Sequence, residues 1–475
     1  MQFPTFTFTL FFLLFLTVWW GLLRPTTSPR LRTRVLLAAS LIFYAWADWR
    51  WVGVLVGVGL LSAWGGPWMA ATEGRARTRR GAVVIGALVL HLVIWKYTLW
   101  LVAERNDLAA LWGAHAWALP EWAYPAGLSF FTFHAIALVL AVGRRRMPAP
   151  TWDEALAHVA FFPSLLAGPV LLADQLIPRL HRSFQWREVA WLEGIQRITL
   201  GMVFKWVLAS QAAQWADPVF AGMADTSAQV WWGVHAYALQ IFFDFAGYSH
   251  MAIGLALLLG FRLPENFTQP YLAVSFQDFW RRWHRSLSFF FRDHLYIDAF
   301  GGNRHGKTLA MLSAAATMVI SGLWHGASIT FLIWGCWHAV ALLWERFWPG
   351  RRRWPHWLGW VITLEGVVWG WVCFRAEDLD SARAVFAQAW LGVGNALQPA
   401  AWWTPHMGSW ALLMLAVVAL EGWLLARGQA WADRMDCPTA PRWGLWASAA
   451  GLSVVAAWIM AYGPVGVPPF IYAGF

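Results

Sequence analysis

The chain has 475 residues, 59% hydrophobic and only 13% charged, with 40 tryptophans. That balance excludes an ordinary soluble domain, and tryptophan in such numbers suits membrane interfaces. The formal net charge of +10 does not mark a nucleic-acid binder, because the basic residues, almost all arginine, cluster in short loops between apolar stretches.

The N-terminal stretch MQFPTFTFTLFFLLFLTVWWGLL has no basic flank and a long apolar run, so it reads as a retained first span rather than a cleaved signal. Apolar stretches of about the 20 residues needed to cross a bilayer then recur. Predicted spans are 4–23, 34–48, 51–72, 81–103, 123–142, 193–215, 229–261, 308–326, 328–348, 357–374, 407–426 and 443–462. This predicts an all-α polytopic membrane protein, one membrane domain over 1–475; the short alternating strands of a membrane barrel are absent from the sequence. Arginines at 24, 30, 32 and 34, at 75, 77, 79 and 80, at 144–146, and at 346 and 351–353 all fall on one side if the N-terminus is outside. By the positive-inside bias that side is cytoplasmic, which places both termini outside.

Two segments break the pattern. HVAFFPSLLAGPVLLADQLIP (158–178) carries three prolines and reads as a broken or re-entrant segment lining a site. SFQDFWRRWHRSLSFFFRDHLY (275–296) places Phe276, Phe279, Trp280, Trp283, Leu287, Phe290 and Phe291 on one helical face and Arg281, Arg285 and Arg292 opposite. It is predicted to be one amphipathic helix in the inner interface plane, its arginines meeting lipid phosphates or an anionic cytosolic ligand, with His284 at the edge of the apolar arc.

Ionisable residues inside spans are costly and point to function or pairing. Here they are Lys205, Asp244 and Glu365, joined by His325 and His338 in SGLWHGASITFLIWGCWHA (321–339). A lone buried histidine is more often a hydrogen-bonded core residue, and His338 reads that way first. His325 is the stronger candidate, because Gly322 and Gly326 bracket it and permit close approach by another backbone or a ligand. Those glycines also fit a helix-packing face of small residues. Imidazole suits acid–base work near neutral pH. The histidines and the cysteines at 336, 373 and 437 lack metal-ligand spacing, and no phosphate-binding glycine loop occurs, so neither a metal nor a bound cofactor is expected.

Several segments together resemble the membrane-bound O-acyltransferase family, in its alginate O-acetyltransferase branch. They are YAWADWRW (44–51), FFPSLLAGPVLL (161–172), QIFFDFAGYSHMAIGLALLLGF (240–261), PENFTQPY (264–271), FWRRWHRSLS (279–288), GGNRHGK (301–307) and 321–339, in family order. The resemblance implies many helices around a central pore, in the bacterial inner membrane. It implies acetyl transfer from cytosolic acetyl-CoA, as donor substrate, to an extracytoplasmic polysaccharide. The family's invariant histidine matches His325 and its second motif histidine matches His284. Asp244, Trp324, Arg281, Arg282 and His338 are the implied pore or substrate-binding residues. A periplasmic serine-hydrolase-like acetyltransferase is the implied partner. The sequence departs from the family at His250, where aspartate is usual, and at Ala339, where glycine is common. The tail FIYAGF (470–475), expected outside, resembles the branch's aromatic C-terminus, which makes Tyr472 a candidate acyl carrier. A lipid, teichoic acid or peptidoglycan acceptor, and a transporter without chemistry, remain as alternatives at this point.

The charge pattern makes a direct prediction. Reporter fusions after Arg80, Arg146 and Arg353 should read cytoplasmic, and fusions near Asn106 and at the C-terminus periplasmic. A cytoplasmic C-terminus would remove Tyr472 from the outer side.

Overall fold

The computed structural model describes residues 5–23, 27–118, 125–182, 186–304, 306–348, 354–391 and 407–435, with residues 3, 450 and 453. Among these the chain is helical, with no strand. The predicted span 443–462 and the tail 470–475 with Tyr472 lie outside the described residues, apart from residues 450 and 453. Five stretches are long and apolar enough to cross a membrane: Pro29–Ala70, Gly74–Leu111, Ser227–Leu258, Lys307–His325 and His356–Arg375. Shorter apolar helices cover Phe6–Leu22, Leu128–Gly143 and Gly408–Leu420. The chain divides into two compact units, residues 1–194 with 252–264, and 195–251 with 265–475.

The first unit opens with α1 (Phe6–Leu16), which runs on into a π-helical turn, then α2 (Pro29–Asp48) and α3 (Val52–Ala70). Asp48 separates the last two: its backbone is extended and its carboxylate accepts from the Arg50 amide. α4 (Gly74–Leu111) and α5 (Leu128–Gly143) follow. Every residue of α5 except Ser129 is buried, the mark of a helix apolar nearly all round at the centre of its unit. The proline-rich segment is indeed broken, into α6 (Trp152–Val159), α7 (Phe162–Leu165) and α8 (Ala173–Leu180). α6 starts on a capping box made by Thr151 and Glu154. Phe162 of α7 is wholly buried against the rings of Phe11, Phe15 and Phe43. Gly127 allows this crossing, since its φ is +71° and a Cβ there would stand 2.5 Å from the Leu165 carbonyl oxygen. The indoles of Trp19 and Trp20 donate to the carbonyls of Leu259 and Leu258, which ties residues 252–264 to this unit.

α9 (Trp191–Met202) leads into a π-helical stretch, Val203–Ala209, and then α10 (Ser210–Phe220). α11 (Ser227–Leu258) follows, and its part up to Met251 belongs to the second unit. The rest of that unit is α12 (Phe276–Arg282), α13 (Arg285–Phe290) with a π-helical continuation to Ala299, α14 (Lys307–His325), α15 (Ile329–Phe347), α16 (His356–Arg375), α17 (Leu379–Leu391) and α18 (Met407–Met435).

One expectation is corrected here. Residues 275–296 do not form one continuous amphipathic helix: α12 stops at Arg282, Trp283 is extended, and His284 takes the left-handed conformation with φ 41° and ψ 52°. Successive residues of a helix point about 100° apart, so an unbroken helix with Trp283 inward would turn His284 toward its flank. The break buries both, at 1% and 0% exposure, so His284 lies inside the protein and not at the edge of an exposed apolar arc.

α14 and α15 form a tight hairpin through two glycines. A Cβ on Gly322 would lie 2.4 Å from the Phe331 carbonyl oxygen and 2.9 Å from Gly335 Cα. The small-residue face read from the sequence is therefore a backbone-to-backbone contact. Gly322→Leu should force the hairpin apart and cost about 1–3 kcal/mol or more. The check is a lowered midpoint of thermal unfolding in detergent, with Ala316→Leu, on a half-buried position of α14, as the milder comparison.

Candidate active site

The second unit brings three histidines into one aromatic array. His284 precedes α13, His325 ends α14, and His338 lies within α15. All three are buried, at 0%, 3% and 0% exposure. The Trp324 ring lies between the first two, with centroids 6.4 Å from His284 and 4.7 Å from His325. The Trp334 ring lies between the second and third, 4.9 Å from each. Phe245 of α11 closes over His284 at 4.6 Å and Phe374 of α16 over His325 at 5.1 Å.

His325 occupies a position set by the hairpin. α14 ends on it because Gly326 turns to an extended backbone, and α15 starts after three residues with Ser328 capping the Thr330 amide. The imidazole is thereby fixed at a helix end, packed among rings on three sides. His338 sits deeper, against Trp280 at 5.0 Å and stacked on Phe279 at 6.4 Å. Among the described residues neither of its ring nitrogens meets a hydrogen-bond partner. α16 approaches it at Gly370, where a Cβ would stand 3.3 Å from His338 Nε2.

His284 has a polar support that sequence reasoning missed. Its Nδ1 lies 3.1 Å from Asn266 Oδ1, and the Asn266 amide donates to Ser249 Oγ at 3.1 Å. Burial pushes the His284 imidazole well below its usual pKa, so the ring is neutral across the working range. A second network lies beside it. Arg197 makes a short ion pair with Glu265 and donates to His250 Nδ1 at 3.0 Å.

The remaining predicted site residues separate from this array. Asp244 is held in a short, buried ion pair with Lys205, which the π-helical stretch of α9–α10 presents. Its neighbour Phe245, not Asp244, faces His284. Arg282 is paired with Asp278 at 3.0 Å, and Arg281 is exposed. The Trp324 ring lies near both His284 and His325. Two imidazoles about one indole, in a wall of rings, form a site suited to moving a proton.

Apolar helices long enough to cross a membrane and a cluster of buried histidines define a polytopic membrane protein with an interior polar site, and sequence comparison supplies the family. The membrane-bound O-acyltransferase family profile matches residues 88–374, which include all three histidines. The chain is 40% identical over 388 residues to the probable alginate O-acetylase AlgI of Pseudomonas aeruginosa, covering 80% of this chain and 74% of that protein. It is 31% identical over 386 residues to the peptidoglycan O-acetyltransferase of Helicobacter pylori, covering 74% and 72%. To the teichoic acid D-alanyltransferase of Bacillus subtilis it is 27% identical over 273 residues, covering 53% and 68%. The chain belongs to the membrane-bound O-acyltransferase family, and is a multi-pass membrane acyltransferase.

The Lys205–Asp244 pair gives a test that separates scaffold from chemistry. Asp244→Ala leaves a buried ammonium without its carboxylate and should cost about 3–5 kcal/mol, read as a fall in thermal midpoint. Lys205→Met combined with Asp244→Leu should recover most of that loss. Should the double variant fold normally yet transfer no acyl group, the pair belongs to the chemistry rather than to the scaffold.

Proposed function

We propose that this protein resides in the bacterial inner membrane and moves an acetyl group from cytosolic acetyl-CoA across it, for O-acetylation of an extracytoplasmic polysaccharide. The observation that carries the reading is the indole shared by His284 and His325, which makes one site of the two motif histidines. The relatives favour a polysaccharide acceptor: the alginate O-acetylase is more similar to this chain than the peptidoglycan enzyme over comparable lengths.

In this reading His325 is the general base. It takes the proton of an attacking hydroxyl as that oxygen bonds to the acetyl carbonyl carbon. The carbon–sulfur bond then breaks, and the departing thiolate of CoA recovers the proton from the imidazolium. A hydroxyl is a poor nucleophile while protonated, and a positioned base contributes roughly 10²–10⁴-fold. Tyr472 of the C-terminal tail is the proposed hydroxyl, carrying the acetyl group on the outer side to a periplasmic serine-hydrolase-like acetyltransferase. His284 aligns the donor or accepts a hydrogen bond from the reacting groups, and Trp324 forms the wall between the two imidazoles. No resident cofactor takes part; acetyl-CoA is substrate.

His325→Ala should reduce transfer from acetyl-CoA by about 10²-fold or more, with protein level unchanged, and His284→Ala should also lower it. Tyr472→Phe keeps the ring and removes the hydroxyl. It should abolish polysaccharide acetylation while acetyl-CoA binding persists. Mass spectrometry of the parental C-terminal peptide should find acetyl-Tyr472, absent in His325→Ala. Undiminished acetylation in Tyr472→Phe would instead mean direct transfer to a partner's nucleophile.

A further inference from the structure

The hydrogen bonds around Asn266 define the protonation state of one site histidine. Asn266 Oδ1 accepts from the Ser286 backbone N–H at 3.3 Å and from Ser286 Oγ at 2.9 Å, and it faces His284 Nδ1 at 3.1 Å. A backbone N–H can only donate, so the atom facing it is the amide oxygen; this fixes which way the Asn266 amide is turned. The amide nitrogen then points to Ser249 Oγ, as observed at 3.1 Å. An oxygen that only accepts requires a proton on His284 Nδ1. In the neutral ring, the lone pair is therefore on Nε2.

The backbone reinforces this geometry. The Arg285 N–H donates to the Asn266 carbonyl at 2.9 Å, and the Thr268 N–H to the Arg282 carbonyl at 3.0 Å. These two bonds bind residues 266–268 to both sides of the left-handed turn at His284. Left-handed conformation in a non-glycine residue is uncommon and costs free energy, which the surroundings must repay. Asn266 meets the turn through both its side chain and its backbone.

We propose that Asn266 is a positioning residue that locks His284 in the Nδ1–H tautomer, so that His284 enters acyl transfer only as a hydrogen-bond acceptor, through Nε2. The inference rests on the reading of His284 as a site residue. Phe245 of α11 and Trp324 of α14 pack on the imidazole, and neither is charged. The titratable groups nearby are His325 across Trp324, the Arg197–Glu265 pair next to Asn266 in sequence, and Arg285, whose guanidinium lies over Phe289 at 5.5 Å.

The test compares Asn266→Leu, Asn266→Asp and His284→Ala in the full-length protein, with acetyl transfer from acetyl-CoA followed against pH. Asn266→Leu keeps the volume and loses the acceptor. It should lower transfer by at least about tenfold, below the full worth of a positioned base, with acetyl-CoA binding unchanged. Asn266→Asp keeps the acceptor but adds a charge that stabilises the imidazolium. It should match the parent at alkaline pH and lose activity as the pH falls, through an acid limb shifted upward relative to the parent. A parental rate in Asn266→Leu, or a parental pH profile in Asn266→Asp, would overturn the proposal. If Asn266→Leu does not accumulate, the Asn266→Asp profile decides alone. A parental rate in His284→Ala would instead remove His284 from the site, a failure of the functional reading that the Asn266 variants do not produce.

Discussion

A polar group surrounded by hydrocarbon finds no water to bond with, so it needs a partner supplied by the protein. Much of the second unit follows that constraint, with His338 as an exception among the described residues. Lys205 meets Asp244, Arg197 meets Glu265 and His250, and Asn266 collects donors from His284 and Ser286 while giving one to Ser249. The backbone obeys it too. Where α12 and α13 part at His284, residues 266–268 supply the bonds that a continuous helix would have made internally. The site therefore lies where helices stop, because only there can side chains from several elements converge, and each stop is sealed by a specific partner.

The same constraint makes the site nearly free of formal charge. Its walls are Trp324, Trp334, Phe245 and Phe374, and the Arg197–Glu265 pair beside it has its two charges balanced against each other. Among rings, an imidazole loses more by becoming charged than it would in water, and burial of this kind keeps the His284 ring neutral with one nitrogen able to accept. A reaction that creates a charge only transiently, and passes the proton on within the same site, is compatible with such surroundings. A site built to hold a permanent ion would require a fixed counter-charge beside it.

Much of this was legible in the sequence, and the part that was not has a physical cause. Among the described residues, each predicted span from 4–23 to 407–426 coincides largely with helix, because length and hydropathy are properties of contiguous residues. His325 stood out through its glycine neighbours, and the structure shows Gly322 crossing Gly335. The break at His284 was hidden because the spacing of Phe279, Trp283 and Leu287 fits an unbroken helix equally well. Only the long-range bonds of Asn266, 18 residues earlier in the chain, show that it is interrupted. Asn266 itself lay in plain view within PENF. A polar amide between turn residues reads as loop chemistry, and its partners are set by tertiary packing that no local pattern encodes. Asp244 was singled out correctly as a costly intramembrane charge, but its cost is met by Lys205 rather than by the site.

The departure at His250 shows how the support of the site tolerates change. An aspartate there would offer Arg197 a carboxylate in addition to that of Glu265. With histidine, Arg197 and Glu265 form a pair of balanced charge, and the imidazole Nδ1 accepts the guanidinium's further N–H. A guanidinium has no acceptor, so His250 need carry no charge of its own to complete the network. Glu265 immediately precedes Asn266, and Ser249 immediately precedes His250. Arg197 of α9 and Ser249 of α11 thus hold adjacent residues of one loop, the charged bond beside the neutral one. Histidine at 250 anchors that loop through a neutral acceptor, beside the bond that orients the Asn266 amide.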